Sequence, residues 1–484
     1  MNSIALLIDF GSTFTKITAV DLDRSEVVAR SQAPSSVLTD VREGLFQALN
    51  ELHQRHALFE RRPDDLGVLE DRVIFASSSA AGGLRMVVIG LVPGLTVEAA
   101  NLAALGAGAK VVGALGFKLE EKALQEIESQ RPDMLLLTGG TNGGDSSTIL
   151  HNARLLASSR LSVPVVAAGN RVVADEVCAI LQAGGKEVRG ADNVMPEAGV
   201  LSVDSAREEI RKLFMERITH AKGLDQIKEM VPVVLPTPMA VLQGLLLGAE
   251  GTDGNKGWGE MILVDVGGAT TDVHSIGFGK PTGTNTMVQG LPEPFAKRTV
   301  EGDLGIRYNA AHLLGRVGLD SLTTELCSTF PDLAVASAEL AQYIEEISQD
   351  TSVVPREKWH YAADAVLARM AVDLAVERHV GKRERIFTRD GETWVHYGKD
   401  LTDTPTLIGT GGVFIYNPYV AQILSPSVRG NPRYQVLRPK KPKMFTDASY
   451  LLYAVGLLAE KYPEVAVRIF QDHMAPVASS GAED

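Results

Sequence analysis

The first eighty residues alternate between short apolar runs and polar turns. ALLIDF and KITAVDL flank a turn and have the length and composition of strands, and RVIFASS repeats that pattern further on. Between them, VREGLFQALNELHQ carries apolar residues at the spacing of one helix face. The pattern predicts a strand pair, a helix and a third strand between Ile4 and about Ser79.

From about Leu84 to Asn193, strand patterns and helix patterns take turns. LRMVVIGLVP, DMLLLTGG and VPVVAAGN predict strands, and EAANLAALGAGA, EEKALQEIESQ and TILHNARLLAS predict helices. Short apolar strands that alternate with helices are typical of a parallel sheet covered on both faces. We therefore expect a self-contained doubly wound unit here. Mixed strands and helices follow from about Val231.

The opening pattern of the chain occurs twice. In ALLIDFGSTFTKITAV (Ala5–Val20) an apolar strand ends on an aspartate, turns through small residues and resumes beside a lysine. MILVDVGGATTDVHSIG (Met261–Gly277) repeats that order, and a third glycine turn, TLIGTGGVF, lies at Thr406–Phe414. Glycines let the backbone approach a phosphate, hydroxyls add donors and a lysine neutralises charge. Any one such turn is usually a plain turn, but two in the same register followed by GTGG favour a phosphate site.

Charge and hydropathy exclude several classes of partner. The formal net charge of −13 argues against a nucleic acid or an anionic membrane as the main partner. The N-terminus lacks the features of a signal peptide, and the longest apolar run, MVVIGLVPGL, is interrupted by glycine and proline. The expected location is the cytoplasm.

Metal-ligating side chains form no recognisable cluster in the sequence. Cys178 and Cys327 lie far apart and the ten histidines are scattered, so neither a zinc site nor an iron–sulfur cluster is expected. The chain also lacks the G-x-x-x-x-G-K-[ST] motif of P-loop proteins.

Taken together, these segments resemble the superfamily of actin, the heat-shock chaperone ATPases and the sugar kinases. IDFGSTFTK resembles its first phosphate loop, VDVGGATTD its second, and LIGTGGVF its adenosine loop. VEGDLGI (Val300–Ile306) resembles the turn after the second phosphate loop. PTPMAVLQGLLLG (Pro236–Gly248) and DASYLLYAVGLL (Asp447–Leu458) resemble the two connecting helices. The resemblance implies an α/β, actin-like ATPase fold of two ribonuclease-H-like lobes around a nucleotide cleft, with an inserted doubly wound α/β unit.

The resemblance can be narrowed to one family. DFGSTFTK, TGGTNGG (Thr138–Gly144) and LIGTGGVF are similar to the MutL-type accessory proteins of glutamate (methylaspartate) mutase. That family implies an ATP-driven chaperone or reactivase for an adenosylcobalamin-dependent mutase, which releases damaged cobalamin. The implied partner is a subunit of the mutase, and a homodimer is a further option. Four segments are expected: a first lobe at 1–83 completed by a helix near 446–465, the inserted unit at 84–200, a second lobe at 201–445 and a tail at 466–484.

The resemblance also implies a set of site residues for ATP and Mg²⁺. Asp9 and Asp265 would be the catalytic and metal-binding carboxylates, and which of them orients the attacking water stays open. The expected nucleotide-binding residues are Gly11, Ser12, Thr13, Lys16, Gly267, Gly268, Thr270, Gly302, Asp303, Gly409, Gly411 and Gly412. Mg²⁺ prefers a few carboxylates together with water and substrate phosphates, so two aspartates are enough.

Other members of the superfamily supply the alternatives. A small-molecule kinase of the sugar type is the main one, although no sugar-binding segment can be identified. An actin-like filament is disfavoured by the bulky insertion. The iron–sulfur activators of acyl-CoA dehydratases need paired cysteines, which this chain lacks.

The glycine turn TGGTNGGDSST of the inserted unit has two interpretations. Its place after a strand and before a helix is where doubly wound sheets bind ligands, so it could belong to a docking or ligand-binding module. Alternatively, it is a tight turn that caps the next helix through Asp145, Ser146 or Ser147.

Overall fold

The computed structural model describes residues 4–11, 14–35, 40–63, 65–70, 72–79, 84–218, 230–281, 286–388, 391–428 and 435–478. Its strands, in chain order, are β1 Ile4–Phe10, β2 Phe14–Asp21, β3 Glu26–Pro34, β4 Val73–Ser78, β5 Arg85–Ile89, β6 Lys110–Leu115, β7 Met134–Leu137, β8 Val165–Ala167, β9 Val188–Gly190, β10 Val233–Pro236, β11 Met261–Val266, β12 Thr271–Ile276, β13 Thr286–Gln289, β14 Ala296–Glu301, β15 Lys382–Thr388, β16 Gly391–Tyr397, β17 Thr406–Thr410, β18 Gln435–Val436, β19 Lys443–Thr446 and β20 Ala475–Pro476.

The α-helices, in chain order, are α1 Val41–His56, α2 Glu98–Gly106, α3 Glu121–Ser129, α4 Ser147–Ser158, α5 Ala174–Ala183, α6 Asp204–Ile218, α7 Thr237–Glu250, α8 Ala310–Val317, α9 Leu319–Thr329, α10 Ser337–Gln349, α11 Lys358–His379, α12 Gly412–Tyr416, α13 Val420–Leu424, α14 Leu452–Leu458 and α15 Pro463–His473. Among the residues the structure describes, no helix is long and apolar enough to cross a membrane.

Two sheets of the molecule share one strand order. The first runs β3-β2-β1-β4-β10, antiparallel from β3 to β1 and parallel from β1 to β10. The second runs β14-β12-β11-β17-β19 with the same change of direction, and β20 adds an antiparallel edge. A meander of three strands continued by two parallel strands is the ribonuclease-H-like topology, and its duplication makes the actin-like ATPase fold. The predicted fold class is confirmed.

The inserted unit is a third, wholly parallel sheet in the order β6-β5-β7-β8-β9. Its strands β5, β7 and β8 are almost fully buried, as expected where helices cover both faces. The doubly wound unit is thus confirmed. Strand β6 is not predicted by the sequence pattern, because KVVGAL directly follows a helical pattern. In the structure it lies at the sheet edge and is only half-buried.

Two helices lie between the duplicated sheets. Ala5 and Leu7 of β1, and Met261 and Leu263 of β11, belong to one buried cluster with residues of α7 and α14. The two helices approach closely, since a Cβ atom at Gly456 of α14 would lie 1.8 Å from the carbonyl oxygen of Ala240 in α7. Only glycine fits there. Strand alternation then places Asp9, two residues after Leu7, on the side of the first sheet that faces these helices. Asp265, two residues after Leu263, does the same on the second sheet.

The domain boundaries remain a prediction. Two observations concern the segments at 201–445 and 466–484. Strand β10, within the segment 201–445, pairs with β4 of the first sheet. Helix α15 begins at Pro463, and its Phe470 is fully buried against Gly248 of α7. The segment from 466 therefore starts inside a packed helix and not in a tail. A small fourth sheet, β13-β16-β15-β18, completes the second half of the chain.

Candidate functional site

Asp9 is the last polar position of β1 and is held by two hydroxyl groups. Its side chain is 1% exposed. Ser77 of β4 donates its Oγ to Asp9 Oδ1 at 3.0 Å, because β1 and β4 are parallel partners with Asp9 opposite Ser77. Thr237, the first residue of α7, donates its Oγ1 to the same oxygen at 2.6 Å. The second oxygen, Oδ2, lies 3.8 Å from Lys16 Nζ. The sequence pattern distinguishes neither Ser77 nor Thr237 as a site residue.

The turn after Asp9 is tight. Gly11 N–H donates to the Phe14 carbonyl at 3.1 Å, and a Cβ atom at Gly11 would lie 2.6 Å from that oxygen. A side chain here would open the turn, which accounts for the glycine. Ser12 and Thr13, the predicted hydroxyl donors of this loop, lie outside the described residues.

Lys16 links the first hairpin to the second connecting segment. It is the cross-strand partner of Asp9 in β2, so both side chains emerge on the same face. Its Nζ lies 3.6 Å from the centre of the Tyr450 ring, a cation–π contact. Tyr450 adopts φ +52°, a left-handed conformation that is unusual for an aromatic residue. The lysine is therefore positioned between Asp9 and Tyr450.

Asp265 occupies in the second sheet the position that Asp9 has in the first. Its neighbours across the strands are Asp272 of β12 and Thr410 of β17. The side chain is partly buried, and loss of hydration, reinforced by the Asp272 carboxylate, raises the pKa of Asp265 to about 7. The positive charge of Lys16 opposes that rise in the pKa. Lys16 thus acts electrostatically on both predicted catalytic aspartates, one in each lobe.

In the loop predicted to be the second phosphate loop, three consecutive carbonyl groups accept hydrogen bonds from the protein. The Gly267 carbonyl accepts from Ile306 N–H at 3.2 Å and the Gly268 carbonyl from Arg307 N–H at 2.9 Å. The Ala269 carbonyl accepts from Asn309 Nδ2 at 2.6 Å. Within the described part of the chain, the Gly268 and Ala269 N–H groups make no hydrogen bond, and both residues are exposed. Consecutive free amides of this kind fit a phosphate oxygen.

Asp272 ties the second hairpin to the inserted unit. Thr270 Oγ1 donates to Asp272 Oδ2 at 3.4 Å, and Arg298 Nη2 donates to Asp272 Oδ1 at 2.8 Å. Arg298 Nη1 also donates to the carbonyls of Leu105 and Ala109, at 3.2 and 3.0 Å. The predicted Thr270 hydroxyl is therefore already oriented by Asp272, and Arg298 was not anticipated.

The turn with Gly302 and Asp303 packs beside this loop. The Gly302 carbonyl accepts from Asn309 Nδ2 at 2.8 Å, so Asn309 fixes both the phosphate loop and this turn. Asp303 accepts from Arg378 at 2.9 and 3.0 Å, and this hydrogen bonding lowers the pKa of Asp303. A nucleotide-binding role for the two residues stays a prediction, and the carboxylate of Asp303 is committed to an arginine.

The third glycine loop lies directly against Asp265. Gly411 has φ +106°, and a Cβ atom on it would lie 2.4 Å from the Val266 carbonyl and 2.9 Å from Asp265 Oδ1. A Cβ at Gly409 would overlap the Phe414 ring at 2.7 Å, whereas one at Gly412 meets no atom within 4 Å. Gly409 and Gly411 are required by packing, and Gly412 faces open space.

Asp447 anchors the second connecting helix beneath this loop. It accepts from Leu451 N–H at 2.8 Å and from Thr410 Oγ1 at 3.2 Å. Burial raises the pKa of Asp447. The sequence places Asp447 at the start of a connecting segment but indicates no role for it.

The site fits a hydrated magnesium ion only in combination with a ligand. Across the described ranges, no group of three or more histidine, cysteine or carboxylate side chains is arranged to hold a metal ion. Asp9 and Asp265 offer oxygen donors alone, which suits a hard cation that retains water and completes its shell with phosphate oxygens. The chemistry of the donors therefore agrees with the predicted ion.

The glycine turn of the inserted unit forms a helix cap. Thr148 N–H donates to Asp145 Oδ2 at 3.0 Å at the start of α4. Gly140 has φ +74°, and a Cβ there would lie 2.0 Å from the Asp145 carbonyl oxygen. Asn170 Nδ2 donates to the carbonyls of Gly144 and Asp145, both at 3.2 Å. These contacts agree with the interpretation of this segment as a tight turn that caps α4 through Asp145.

The amino-acid sequence matches one protein family over almost its whole length. The family model described as "MutL protein" matches residues 5–474. Protein MutL of Clostridium tetanomorphum is 41% identical over 475 residues, which cover 98% of this chain and 99% of that protein.

Solved structures resemble the chain only loosely. The nucleotide-free structure of acetone carboxylase is 12% identical with a TM-score of 0.40, covering 95% of this chain and 70% of that one. The activator of 2-hydroxyisocaproyl-CoA dehydratase from Clostridium difficile with bound ADPNP is 9% identical with a TM-score of 0.32, covering 98% and 99%. The fold assignment above therefore stands on sheet topology. The sequence match over almost its whole length shows that the chain belongs to the MutL protein family.

Proposed function

We propose that this protein binds and hydrolyses ATP as a chaperone or reactivase-type accessory protein of an adenosylcobalamin-dependent mutase of the glutamate mutase type. The observation that carries the ATPase part is the paired placement of Asp9 and Asp265. Each is the penultimate residue of the first strand of a ribonuclease-H-like sheet, on the side that faces α7 and α14. The mutase part is supported by membership of the family and by the resemblance that the sequence carries.

Within this proposal the glycine loops bind the nucleotide from both lobes. Lys16 neutralises phosphate charge from the first lobe, and the exposed Gly268 and Ala269 N–H groups donate to phosphate oxygens from the second. Gly412, whose Cβ side is open, lies under the adenosine. Phosphoryl transfer to water leaves little covalent work for a protein, so positioning and charge are the main contributions.

The two aspartates hold a hydrated Mg²⁺ and orient the attacking water. A bound Mg²⁺ supplies neutralisation of charge on the phosphate oxygens. Asp9, already fixed by Ser77 and Thr237, has one oxygen free of hydroxyl partners within the described residues. Asp265 has an elevated pKa, and a cation beside it favours the ionised form. Loss of the terminal phosphate removes contacts between the lobes, which is how hydrolysis drives a conformational cycle.

The test is Mg²⁺-dependent turnover of ATP by the purified protein, with and without a panel of small hydroxylated metabolites. We expect slow release of phosphate without a phosphorylated metabolite, abolished in Asp9→Asn and Asp265→Asn. Asp332→Asn, a change at an exposed aspartate of the second lobe, serves as the matched control and retains turnover. Stoichiometric transfer of phosphate to one metabolite would make the protein a kinase and overturn the accessory role.

The mutase part needs a separate assay. A glutamate mutase-type enzyme inactivated in turnover is incubated with this protein, ATP and fresh adenosylcobalamin, and both mutase activity and released cobalamin are followed. We expect ATP-dependent recovery that Asp265→Asn cannot support. An active ATPase that restores no mutase activity and releases no cobalamin would contradict the reactivase role.

A further inference from the structure

One lysine of the inserted unit reaches into the second lobe. Lys110 is the first residue of β6, and a Cβ atom at Gly302 would lie 2.6 Å from its Nζ and 2.7 Å from its Cε. The side chain is half-buried. It makes no hydrogen bond or ion pair with any residue that the structure describes. A half-buried ammonium group without a partner is costly, so its position calls for an anion.

The backbone before Lys110 is fixed between the two lobes. Arg298 of β14 holds the carbonyls of Leu105 and Ala109. Gly108, at φ +89°, packs so closely on the start of α7 that a Cβ on it would lie 3.0 Å from Pro236 Cβ. The loop that presents Lys110 is therefore anchored to the second lobe on one side and to the entrance of the first connecting helix on the other.

Lys110 lies on the same face of the second sheet as the proposed nucleotide site. Asp265 and Asp272 are direct cross-strand partners, so their side chains emerge on one face of the second sheet. Burial lowers the pKa of Lys110 and the like charge of Arg85 lowers it further, whereas the charges of Asp272 and Asp303 raise it. Both carboxylates are already engaged, Asp272 with Arg298 and Asp303 with Arg378. The ammonium group is thus near the second phosphate loop without a carboxylate of its own.

We propose that Lys110 binds the phosphate chain of the nucleotide, as a second cation of the cleft that the inserted unit contributes in addition to Lys16. This inference rests on the proposed ATP site and deepens it. In this proposal Gly302 does not contact the nucleotide. It lacks a side chain because the end of the Lys110 side chain occupies that space. The lysine also gives the inserted unit a direct means of sensing whether the cleft holds a nucleotide.

The experiment measures binding of Mg·ATP, Mg·ADP and adenosine by titration calorimetry to the full chain and to Lys110→Met. A charge-assisted hydrogen bond is worth about 1.5–3 kcal/mol, so we expect the Kd for ATP to rise roughly tenfold or more. The Kd for adenosine, which has no phosphate, should stay unchanged. Lys110→Arg should recover most of the affinity for ATP. Lys122→Met, which removes an exposed lysine from α3 of the same unit, should bind like the parent protein.

Gly302→Ala provides a second, independent variant. The added methyl group displaces the end of the Lys110 side chain and is expected to weaken ATP binding in the parent protein. In the Lys110→Met background it should have no further effect. A Gly302→Ala effect of equal size in both backgrounds would mean that Gly302 acts without Lys110, and would overturn the inference.

The outcomes separate the inference from the proposed function. A parent protein that binds ATP, with Lys110→Met binding it equally well, overturns the role of Lys110 and leaves the ATP site intact. A parent protein that binds neither ATP nor ADP overturns both. If Lys110→Met fails to fold, Lys110→Gln removes the charge in its place, and a Lys110→Gln protein that binds ATP as tightly as the parent would overturn the role of Lys110.

Discussion

Thr237 donates its hydroxyl to Asp9 at 2.6 Å, across 228 residues of sequence. The threonine is the first residue of α7, and the aspartate is the penultimate residue of β1. A helix that lies between the two sheets is thereby joined to a buried carboxylate of the first sheet. We therefore expect the position of Asp9 to depend on how α7 packs against that sheet.

We expect Thr237→Val to lower the rate of ATP turnover by roughly tenfold. The variant removes one of two hydroxyl donors to a buried carboxylate, and such a bond to a charged group is worth about 1.5–3 kcal/mol. Thr237→Ser, which keeps the hydroxyl, should retain most of the turnover. Steady-state phosphate release measures the effect, and thermal unfolding checks that each variant is folded. Equal turnover in the Val and Ser variants would contradict a role of this hydrogen bond in turnover.

Ionisation of Asp265 should destabilise the nucleotide-free protein. Its pKa of about 7 lies above the ordinary value of 3.8, so the folded state holds this proton more tightly than the unfolded state. The stability gained is fully present below about pH 4 and is lost as the pH rises through 7. In Asp265→Asn this loss is absent, so the variant should become more stable than the parent by up to about 4 kcal/mol at pH 8.

Urea unfolding at pH 4.5, 6 and 8 in the presence of a chelator measures that difference. The advantage of Asp265→Asn should grow with pH and level off above about pH 8, while its turnover is lost. Asp332→Asn should show no such trend. A constant difference between Asp265→Asn and the parent across this range would refute the assignment.

Gly411 should tolerate no side chain. Gly411→Ala forces an alanine to φ +106° and places its Cβ 2.4 Å from the Val266 carbonyl oxygen, a backbone atom that cannot move alone. We expect a loss of about 2 kcal/mol or more in the free energy of unfolding. Gly412→Ala is the matched comparison, since its Cβ meets no atom within 4 Å, and should change stability by less than about 1 kcal/mol. Chemical denaturation of both variants decides the matter, and equal losses would contradict the packing argument.

Because of Lys399, we expect a second dependence of the free energy of unfolding on pH, opposite in sign to that of Asp265. The lysine is fully buried, and its Nζ donates to the carbonyls of Ser275, Pro294 and Phe295. Burial lowers its pKa from 10.5 to about 7, so the folded state releases this proton before the unfolded state does. Stability should therefore rise with pH between about 7 and 10, by roughly 1.4 kcal/mol per pH unit from this group.

The slope of stability against pH is the quantity to measure for this lysine. Unfolding of the parent and of Lys399→Met from pH 7.5 to 9.5 should show that the variant lacks the contribution, whatever its absolute stability. Lys440→Met, at an exposed lysine, should keep it. A slope that survives in Lys399→Met would show that other groups cause it.

The features of this protein that depend on local patterns can be predicted from its amino-acid sequence. Strand alternation and small turn residues predict the two hairpins that carry Asp9 and Asp265, and the spacing of apolar runs predicts the doubly wound insertion. Gly411 and Gly456 belong to segments recognisable by resemblance. These features can be predicted because hydrophobic periodicity and turn geometry depend on residues that are neighbours in the sequence.

Contacts between residues of distant segments cannot be predicted in this way and are seen only in the folded molecule. Ser77 and Thr237 hold Asp9, yet neither is distinguished from many other hydroxyl residues in the sequence. Strand β10 joins the first sheet although it follows the whole inserted unit, and Lys110 of that unit reaches Gly302 in the second lobe. Such contacts arise because crossover connections bring together residues that are far apart in the chain. Their pairing is set by how sheets and helices pack, and no local pattern encodes it.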